Sequence, residues 1–347
     1  MVTHPISNKI SRETCQECKK QILIGQCAIE CSFCEKIVHK KCVKEIFQIF
    51  RGNNYCYNCI DTNDIVRYNP YYNLHGDRSG ENFYDNDPIN YISEIQHMSN
   101  ILEECKQYSP NEIPPSPNTF STFFTNIDGN SSNFDELLVH LKSINHTFSV
   151  IGLAETNTSP DSKDVFILPE YTSCYQVCLP NKNKGTGVAL YIHNSYNFTE
   201  LHNLSQCTPN LETLFISITN TTETITVGTV YRPPNGDKYI FHEELQAILE
   251  ALPPNNVFIM GDFNFNLFNT MNDHNINNYE ELMTTSGLTP VISTYTHHQP
   301  HCSKTCIDNI FTNSPNSVTH SGTINKISNH LPIFQISSVP SPSNQGK

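Results

Sequence analysis

Short apolar stretches that end in a carboxylate or an amide constrain the fold of this chain more than any other feature. The clearest is Phe258-Ile-Met-Gly-Asp262-Phe-Asn264, a buried-strand pattern that ends with both kinds of side chain close together. Glu155 follows a second stretch, Ser149 to Ala154, and Asn126 ends a third, Phe123 to Thr125. Because α/β proteins place their chemistry at strand ends, the repeated pattern predicts one site assembled from several strands.

Two later segments extend the same pattern. Asp308 lies at the start of the apolar run Ile307 to Phe311, and Ser328-Asn329-His330 precedes the last apolar run, Ile333 to Ile336. A lone Asp or His is more often structural, and Gly-Asp-Phe-Asn alone also fits a turn with a side-chain cap. The five segments together favour a functional site.

The predicted elements favour an α/β sandwich of two packed sheets over a doubly wound parallel sheet, because many short strands adjoin one another with few helices between them. Apolar residues at helical spacing predict one helix from Phe134 to Ile144, with Asn133 as its cap and Glu136 as the capping partner. A second helix is predicted from Phe241 to Leu252. Further strands are predicted at 187–192, 214–218, 225–231 and 257–260.

Eight cysteine and histidine residues in the first 60 positions form four pairs, each with two residues between its members. The pairs are Cys15 and Cys18, Cys31 and Cys34, His39 and Cys42, and Cys56 and Cys59. Four such pairs suffice for two tetrahedral Zn²⁺ ions, and so short a segment has too small a core to fold well without metal. Of the 14 cysteines, the seven outside these pairs are expected to be incidental thiols and not disulfide partners.

The order of these ligands, with the histidine in fifth place, resembles the PHD finger over residues 12–62. The resemblance implies that one zinc ion is shared by Cys15, Cys18, His39 and Cys42, and the other by Cys31, Cys34, Cys56 and Cys59. It also implies binding of a histone tail or another protein. PHD fingers usually carry a tryptophan two residues before the seventh ligand, whereas this chain has Asn54 there and no Trp. An unmodified tail or another protein is therefore favoured over methylated lysine.

Charge and composition divide the chain into three parts. Residues 1–60 hold 9 basic and 5 acidic side chains, residues 61–117 hold 3 and 10, and residues 118–347 hold 9 and 19. The middle part lacks helical or strand periodicity and predicts a flexible acidic linker, rich in Asn, Tyr and Pro, over residues 63–117. The large domain is predicted at 118–338, followed by a disordered tail at 339–347. The net charge of −13 argues against a protein that holds nucleic acid by charge alone.

In their order along residues 118–338, the strand-end motifs resemble the endonuclease/exonuclease/phosphatase superfamily. Three further motifs look most like the endonuclease domains of non-LTR retrotransposons, relatives of apurinic-site endonucleases: Gly185-Thr-Gly187-Val-Ala-Leu-Tyr, Val230-Tyr231-Arg-Pro-Pro234 and Thr305-Cys-Ile-Asp308-Asn-Ile-Phe-Thr-Asn313. The resemblance implies cleavage of phosphodiester bonds with Mg²⁺ or Mn²⁺, and DNA as the substrate.

The resemblance also implies a role for each matched residue. Glu155 and Asn126 would hold the Mg²⁺ or Mn²⁺, since these hard cations prefer carboxylate and amide oxygens. Asp262 would orient or deprotonate the attacking water. The remaining residues would act on the phosphate.

By the same resemblance, Asn264 and Tyr231 would contact the phosphate directly. His330 would meet the charge that develops on the phosphoryl group. Asp308 would hold the tautomer of His330 and keep it protonated.

One position departs from the family pattern. The motif before the last strand is Ser-Asp-His in the family, and here Asn329 replaces the aspartate. Asparagine keeps an oxygen for a metal or a water but cannot accept a proton, and losing a general acid or base typically costs 10²–10⁴-fold in rate. We therefore expect a weakened enzyme.

Three interpretations of function remain open from the sequence. The leading one is a Mg²⁺-dependent endonuclease whose finger directs it to chromatin or another protein. The second is a binding protein in which the nuclease fold is catalytically silent. The third keeps the fold but changes the substrate to a phosphoinositide, a sphingolipid or an RNA tail. With no secretory signal and no apolar run long enough for a membrane helix, we expect an intracellular, nuclear protein.

Overall fold

The computed structural model describes residues 14–15, 19–21, 28–30, 37–39, 46–48, 54–56, 102, 104–115, 119–129, 131–158, 166–176, 186–219, 224–269, 273–298 and 303–340. The chain divides into two compact units, Met1–Asp85 with Thr270–His274, and Asn86–Asn269 with Asn275–Lys347. No helix in the described ranges is both long enough and apolar enough to cross a membrane.

The first unit contains two short antiparallel strand pairs. They are β1 (Ala28–Glu30) with β2 (Ile37–His39), and β3 (Ile46–Gln48) with β4 (Asn54–Cys56). Cys15 is buried and opens a tight turn, in which Lys19 donates to the oxygen of Cys15 and the Cys15 N–H donates to the oxygen of Lys20, both at 2.8 Å. Of the predicted zinc ligands, Cys18, Cys31, Cys34, Cys42 and Cys59 lie outside the described residues. The zinc sites therefore stay a prediction.

Two seven-stranded sheets form the second unit. In chain order its strands are β5 (Lys106–Gln107), β6 (Thr119–Asn126), β7 (Val150–Ala154), β8 (Tyr171–Gln176), β9 (Val188–His193), β10 (Phe198–Glu200), β11 (Gln206–Cys207), β12 (Glu212–Thr219), β13 (Thr224–Tyr231), β14 (Asn256–Asp262), β15 (Thr289–Pro290), β16 (Asp308–Thr312), β17 (Val318–Thr323) and β18 (Ile333–Pro340). Among the described residues, the complete helices are α1 (Ser131–Ser143), α2 (Lys238–Glu250) and α3 (His274–Thr285), with 3₁₀ turns at Pro110–Glu112, Leu267–Asn269 and Pro315–Ser317.

The first sheet has the order β5-β17-β18-β6-β7-β9-β8. The second has the order β10-β12-β13-β14-β16-β15, with β11 also paired to β12. Most neighbours are antiparallel. The short edge strand β5 runs parallel to β17, and among the central strands β6 with β7, and β13 with β14, run parallel. These two parallel pairs bring the carboxyl ends of four central strands to the same end of the sandwich.

The layer between the sheets is apolar because alternate residues of each central strand point into it. Phe120 and Phe124 of β6 pack there with Phe258 and Met260 of β14. The next inward position on each of these strands, at the end of the layer, is polar: Asn126 on β6 and Asp262 on β14. The alternation that builds the core thus also directs the strand-end side chains toward one another.

The helices cover the outer faces of the two sheets. Phe134 and Leu137 of α1 belong to an apolar cluster with the outward residues of the first sheet. Phe241 of α2 and Tyr279 of α3 belong to the corresponding cluster on the second sheet. The two-sheet α/β architecture is therefore confirmed.

The structure differs from the sequence predictions at the domain boundaries. β5 lies in the predicted linker, yet it pairs with β17, and Tyr108 and Ile113 are buried against the first sheet. A two-residue strand has no periodicity for sequence reasoning to detect. At the other end, β18 continues to Pro340, and Val339, placed in the predicted tail, is buried.

Two local predictions also need correction. Helix α1 begins at Ser131, so Asn133 is not its cap but lies inside it, where its amide donates to the oxygen of Ile127 at 2.9 Å. Cys207 was expected to be an incidental thiol but is disulfide-bonded. Which cysteines pair is decided by the tertiary fold and not by their spacing along the chain.

Candidate active site

The strand ends of the second sheet place polar side chains in one row. In register, Glu212 of β12 lies opposite Tyr231 of β13, Tyr231 lies beside Asp262 of β14, and Asp262 lies opposite Asp308 of β16. Across the inner layer, Asn126 ends β6 of the first sheet. The five residues come from five different strands.

Glu155 links the two sheets at the centre of this site. It follows β7 directly and has a φ of 53°, a left-handed conformation that is uncommon for a non-glycine residue. Its Oε1 accepts hydrogen bonds from the Asn126 amide at 2.8 Å and from the Tyr231 hydroxyl at 2.9 Å. Burial, and then the charges of Glu155 and Asp262, raise the pKa of Tyr231 above its ordinary value, so the hydroxyl remains a donor.

Asn126 bridges two carboxylates. Its Nδ2 donates to Glu155 and also to Oδ2 of Asp262 at 2.9 Å, while its Oδ1 accepts the backbone N–H of Asp128 at 2.9 Å. Because a backbone N–H only donates, this contact identifies the atom that faces Asp128 as the oxygen. Asn126 therefore directs N–H groups, and not the predicted metal-binding oxygen, toward Glu155.

Asp262 is 1% exposed and is held on both oxygens. Its Oδ1 accepts the backbone N–H of Asn264 at 3.1 Å, and its Oδ2 accepts the Asn126 amide. Burial, together with the negative charge of Asp308, raises the pKa of Asp262 to about 7, although His330 opposes the change. A carboxylate with this pKa can take up a proton near neutral pH.

His330 and Asp308 form a buried pair. Nδ1 of His330 lies 3.0 Å from both carboxylate oxygens of Asp308, and its Nε2 lies 3.9 Å from Oδ2 of Asp262. Burial lowers the pKa of His330, but the charge and hydrogen bond of Asp308 and the charge of Asp262 outweigh it and raise the pKa to about 9. The imidazole is therefore protonated at neutral pH, with Nε2 directed into the site.

Asn264 is held by the neighbouring strand end. It has a φ of 51°, which asparagine tolerates better than most residues, and its amide donates to the backbone oxygen of Arg232 at 2.7 Å. The Arg232 guanidinium donates in return to the oxygens of Phe263 and Asn264 and stacks on Phe265. One N–H of the Asn264 amide is thereby engaged, which leaves the other for a predicted phosphate contact.

The Ser328-Asn329-His330 segment contacts the first sheet. Ser328 donates through its hydroxyl to the oxygen of Asn126 at 2.7 Å and accepts the backbone N–H of His330. The backbone oxygen of Asn329 accepts the N–H of His298 at 3.2 Å. No described residue hydrogen-bonds the side chain of Asn329, which is half-buried beside the site.

Sequence reasoning missed two residues of the site. Thr296 is fully buried, and its hydroxyl accepts the N–H groups of Ile307 and Asp308 and so positions the start of β16. Glu212 is 1% exposed, and burial raises its pKa to about 7. The sequence held one local signal for Glu212: it alternates with Leu214 and Ile216 on a predicted strand, which places it on the apolar side of that strand.

The donor atoms at this site fit Mg²⁺ or Mn²⁺. Glu155 is partly exposed, and no described residue donates to its Oε2. The ligand atoms of Asp262, Asp308 and His330 lie within 4.8 Å of one another and also mark an acidic site that could hold a cation. His330 is the weakest of these donors, because a protonated imidazole repels a metal ion. Carboxylate oxygens without a thiol are the set that hard cations prefer.

The chain thus combines a two-sheet α/β sandwich with an acidic site at one end of its inner layer. The chain belongs to the endonuclease/exonuclease/phosphatase family, whose model matches residues 71–330. Among curated proteins no sequence matches the chain.

Solved structures with a similar fold include the endonuclease domain of TRAS1, a telomere-specific non-LTR retrotransposon. It is 12% identical with a TM-score of 0.52, and the match covers 63% of this chain and 98% of that domain. A humanized D. rerio TDP2 is 18% identical, with a TM-score of 0.49 and coverage of 63% and 99%. The Xenopus laevis APE2 catalytic domain is 17% identical, with a TM-score of 0.48 and coverage of 65% and 94%. At 12% identity, the similarity to the TRAS1 domain shows a common fold alone.

Proposed function

We propose that the second unit of this chain is a divalent-metal-dependent phosphodiesterase that nicks DNA. The observation that carries the proposal is the convergence of Glu155, Asn126, Tyr231 and Asp262 with the Asp308–His330 pair at one end of the inner layer. DNA is favoured as the substrate because the fold matches an endonuclease domain of a retrotransposon.

Each proposed role follows from the contacts of the residue. Glu155 would hold Mg²⁺ or Mn²⁺, which when bound neutralises charge on the phosphate. Asp262 accepts a proton from the attacking water, for which its pKa of about 7 suits it. His330, protonated and anchored by Asp308, donates a hydrogen bond from Nε2 to the phosphoryl oxygen on which negative charge increases. The remaining N–H of Asn264 contacts the phosphate.

The test is cleavage of supercoiled plasmid DNA by the full chain with Mg²⁺, with EDTA, and with the Glu155→Gln variant in Mg²⁺. We expect nicking only in the first case. Glu244→Gln serves as the matched control, because the half-buried Glu244 of α2 accepts a hydrogen bond from Thr208 and lies outside this site. Equal background in the first three reactions would reject the proposal for DNA, and the same set with an RNA or a phosphoinositide would then identify another substrate.

A catalytically silent binding protein is the second candidate, and Asn329 is the observation that favours it. Asn329 directly precedes His330, at the position where the family motif has an aspartate, and its amide cannot accept a proton as a carboxylate can. If wild-type chain and Asn329→Asp are equally inactive with Mg²⁺ while both bind DNA or a protein, the silent interpretation is preferred.

We further propose that residues 12–62 form a PHD-like finger with two Zn²⁺ ions that directs the enzyme to a histone tail or another protein in the nucleus. The tight turn at Cys15 and the short strand pairs that end at His39 and Cys56 support a small metal-built module. Metal analysis of the purified full chain should find two zinc ions per chain. Fewer than two, or unchanged zinc content in Cys15→Ser, would contradict the zinc ligand set.

A further inference from the structure

Glu212 is a buried carboxyl group at the edge of the site to which none of the steps above assigns a role. It begins β12 and points into the inner layer, in phase with Leu214 and Ile216. Its side chain is 1% exposed, and its Oε2 accepts the backbone N–H of Gly187 at 2.6 Å. Burying a carboxyl group beside the acidic Glu155 costs folding free energy. A carboxyl group kept at such a position is therefore a candidate for a functional role.

The hydrogen bond between Glu212 and Gly187 joins the two sheets. Gly187 directly precedes β9 in the first sheet, whereas Glu212 belongs to the second. On the far side of Gly187, its backbone oxygen accepts the N–H of Thr156 at 3.1 Å. Thr156 is the residue after Glu155, so the contact reaches the proposed metal ligand through two hydrogen bonds.

The segment that carries Glu155 has a backbone conformation that must be held by its neighbours. Glu155 and Asn157 have φ values of 53° and 47°, in the left-handed region. Such residues persist only where surrounding contacts enforce them. Here Thr186 accepts the N–H of Asn157 at 2.8 Å and donates to its side chain at 3.2 Å, which adds to the contact from Gly187.

Gly187 itself is required by the close approach of the two segments. Its φ is 93°, and a β-carbon at this position would lie 2.6 Å from the hydroxyl oxygen of Thr156. The pairing of residues 186–187 with 156–157 is therefore tight, and the orientation of the Gly187 peptide sets the position of the Glu155 backbone.

We propose that Glu212 is a positioning residue for Glu155: by anchoring the Gly187 N–H from the opposite sheet, it holds the 155–158 segment so that the Glu155 carboxylate meets Asn126 and Tyr231. The carboxyl oxygen of Glu212 accepts the Gly187 N–H directly, and the amide oxygen of a glutamine can accept the same N–H. The proposal rests on the proposed function in one respect, that Glu155 binds the metal ion.

The first test measures backbone hydrogen exchange and needs no enzymatic activity. In the full chain with Glu212→Ala, the amides of residues 156–157 and 187 should exchange about 10- to 100-fold faster than in wild type, because the buried Gly187 N–H loses its acceptor. Amides of β18 should be unchanged. Glu212→Gln should restore most of the protection, and the matched control Glu244→Ala should leave these amides as in wild type.

Unchanged exchange at residues 156–157 in Glu212→Ala would overturn the proposal. A uniform increase that includes β18 would also overturn it, because it would assign Glu212 to general stability and not to this segment.

The second test measures Mn²⁺ binding to the full chain by electron paramagnetic resonance. We expect Glu212→Ala to bind Mn²⁺ about 10- to 100-fold more weakly, the usual effect of removing a group that orients a ligand, and Glu212→Gln to bind close to wild type. Glu155→Gln identifies the site. If Glu155→Gln binds as wild type does, the proposed metal site fails, and hydrogen exchange alone decides the role of Glu212. If Glu155→Gln loses binding and Glu212→Ala does not, the positioning role is refuted.

Discussion

The Asp308–His330 pair allows a quantitative prediction about the charge of the imidazole. Asp308→Asn replaces the carboxylate by an amide of nearly the same shape, whose oxygen can still accept the Nδ1–H of His330. The orientation of the ring is thus retained, while the negative charge 3.0 Å from Nδ1 is removed. The variant therefore separates the charge of Asp308 from its packing.

The magnitude follows from the opposing influences on His330. Burial lowers the pKa of His330, and chiefly the charge and hydrogen bond of Asp308 raise it to about 9, from an ordinary value of 6.5. Without that charge, burial is opposed only by the smaller effects of Asp262 and Glu155, and the pKa should fall toward its ordinary value of 6.5. A fall of about 2.5 in pKa corresponds to ~3 kcal/mol, and at pH 7.5 it reduces the protonated fraction of His330 roughly tenfold.

Two measurements check this prediction. The pH profile of kcat/KM for plasmid nicking should lose activity on its alkaline side near pH 9 in wild type, and this loss should move toward pH 6.5 in Asp308→Asn. NMR titration of the His330 ring protons, assigned with His330→Gln, should show the same change whether or not the chain is active. Asp237→Asn is the matched control, because Asp237 caps α2 and an asparagine caps equally well. An imidazole that still titrates near pH 9 in Asp308→Asn would refute the reasoning.

Three further predictions concern single residues. Asn329→Asp should raise Mg²⁺-dependent plasmid nicking by about 10²–10⁴-fold if the missing carboxylate exchanges protons, and an unchanged rate would show that Asn329 does not limit activity. Burial raises the pKa of Glu212 from 4.5 to about 7, so the unfolded chain loses the Glu212 proton at lower pH than the folded chain. The free energy of unfolding of the wild type should therefore decrease as the pH rises from 4.5 to 7. Urea unfolding should therefore find Glu212→Gln more stable than wild type by up to ~3 kcal/mol above pH 7 but not below pH 4.5, and equal stabilities at pH 8 would contradict the burial cost. Gly187→Ala should lower the free energy of unfolding by at least ~1 kcal/mol, because the added β-carbon would contact Thr156 and because φ is 93° at this residue. A stability equal to that of wild type in the same assay would contradict this prediction and show that the segment adapts.

Much of the large domain could be read from local patterns. The strands predicted at 225–231 and 257–260 are present as β13 and β14, each within three residues of its predicted ends. They could be predicted because the apolar side chains of a buried strand give a recognisable pattern in the sequence. Helix α2 was predicted at 241–252 and runs from Lys238 to Glu250, with Asp237 as its cap. Strand β8 and helix α3 were not predicted, because most of their residues are polar and the apolar pattern that marks a strand or helix is weak.

The candidate site could be predicted as a set of residues but not as an arrangement. Asn126, Glu155, Asp262 and His330 were identified from strand ends and from the family resemblance. Their partners were not, because the amide orientation of Asn126 depends on the Asp128 N–H, and the role of Glu212 depends on a glycine in the opposite sheet.

The sequence by itself determined the two-sheet architecture, the family, and which side chains stand at the strand ends, since these follow from short-range alternation and from motifs a few residues long. Only the tertiary structure decided how those side chains act on one another. The high pKa of His330, the contact of Tyr231 with Glu155 and the anchoring of Gly187 by Glu212 all join residues 22 to 76 positions apart. Such contacts depend on the packing of one sheet against the other, and no local pattern in the sequence indicates them.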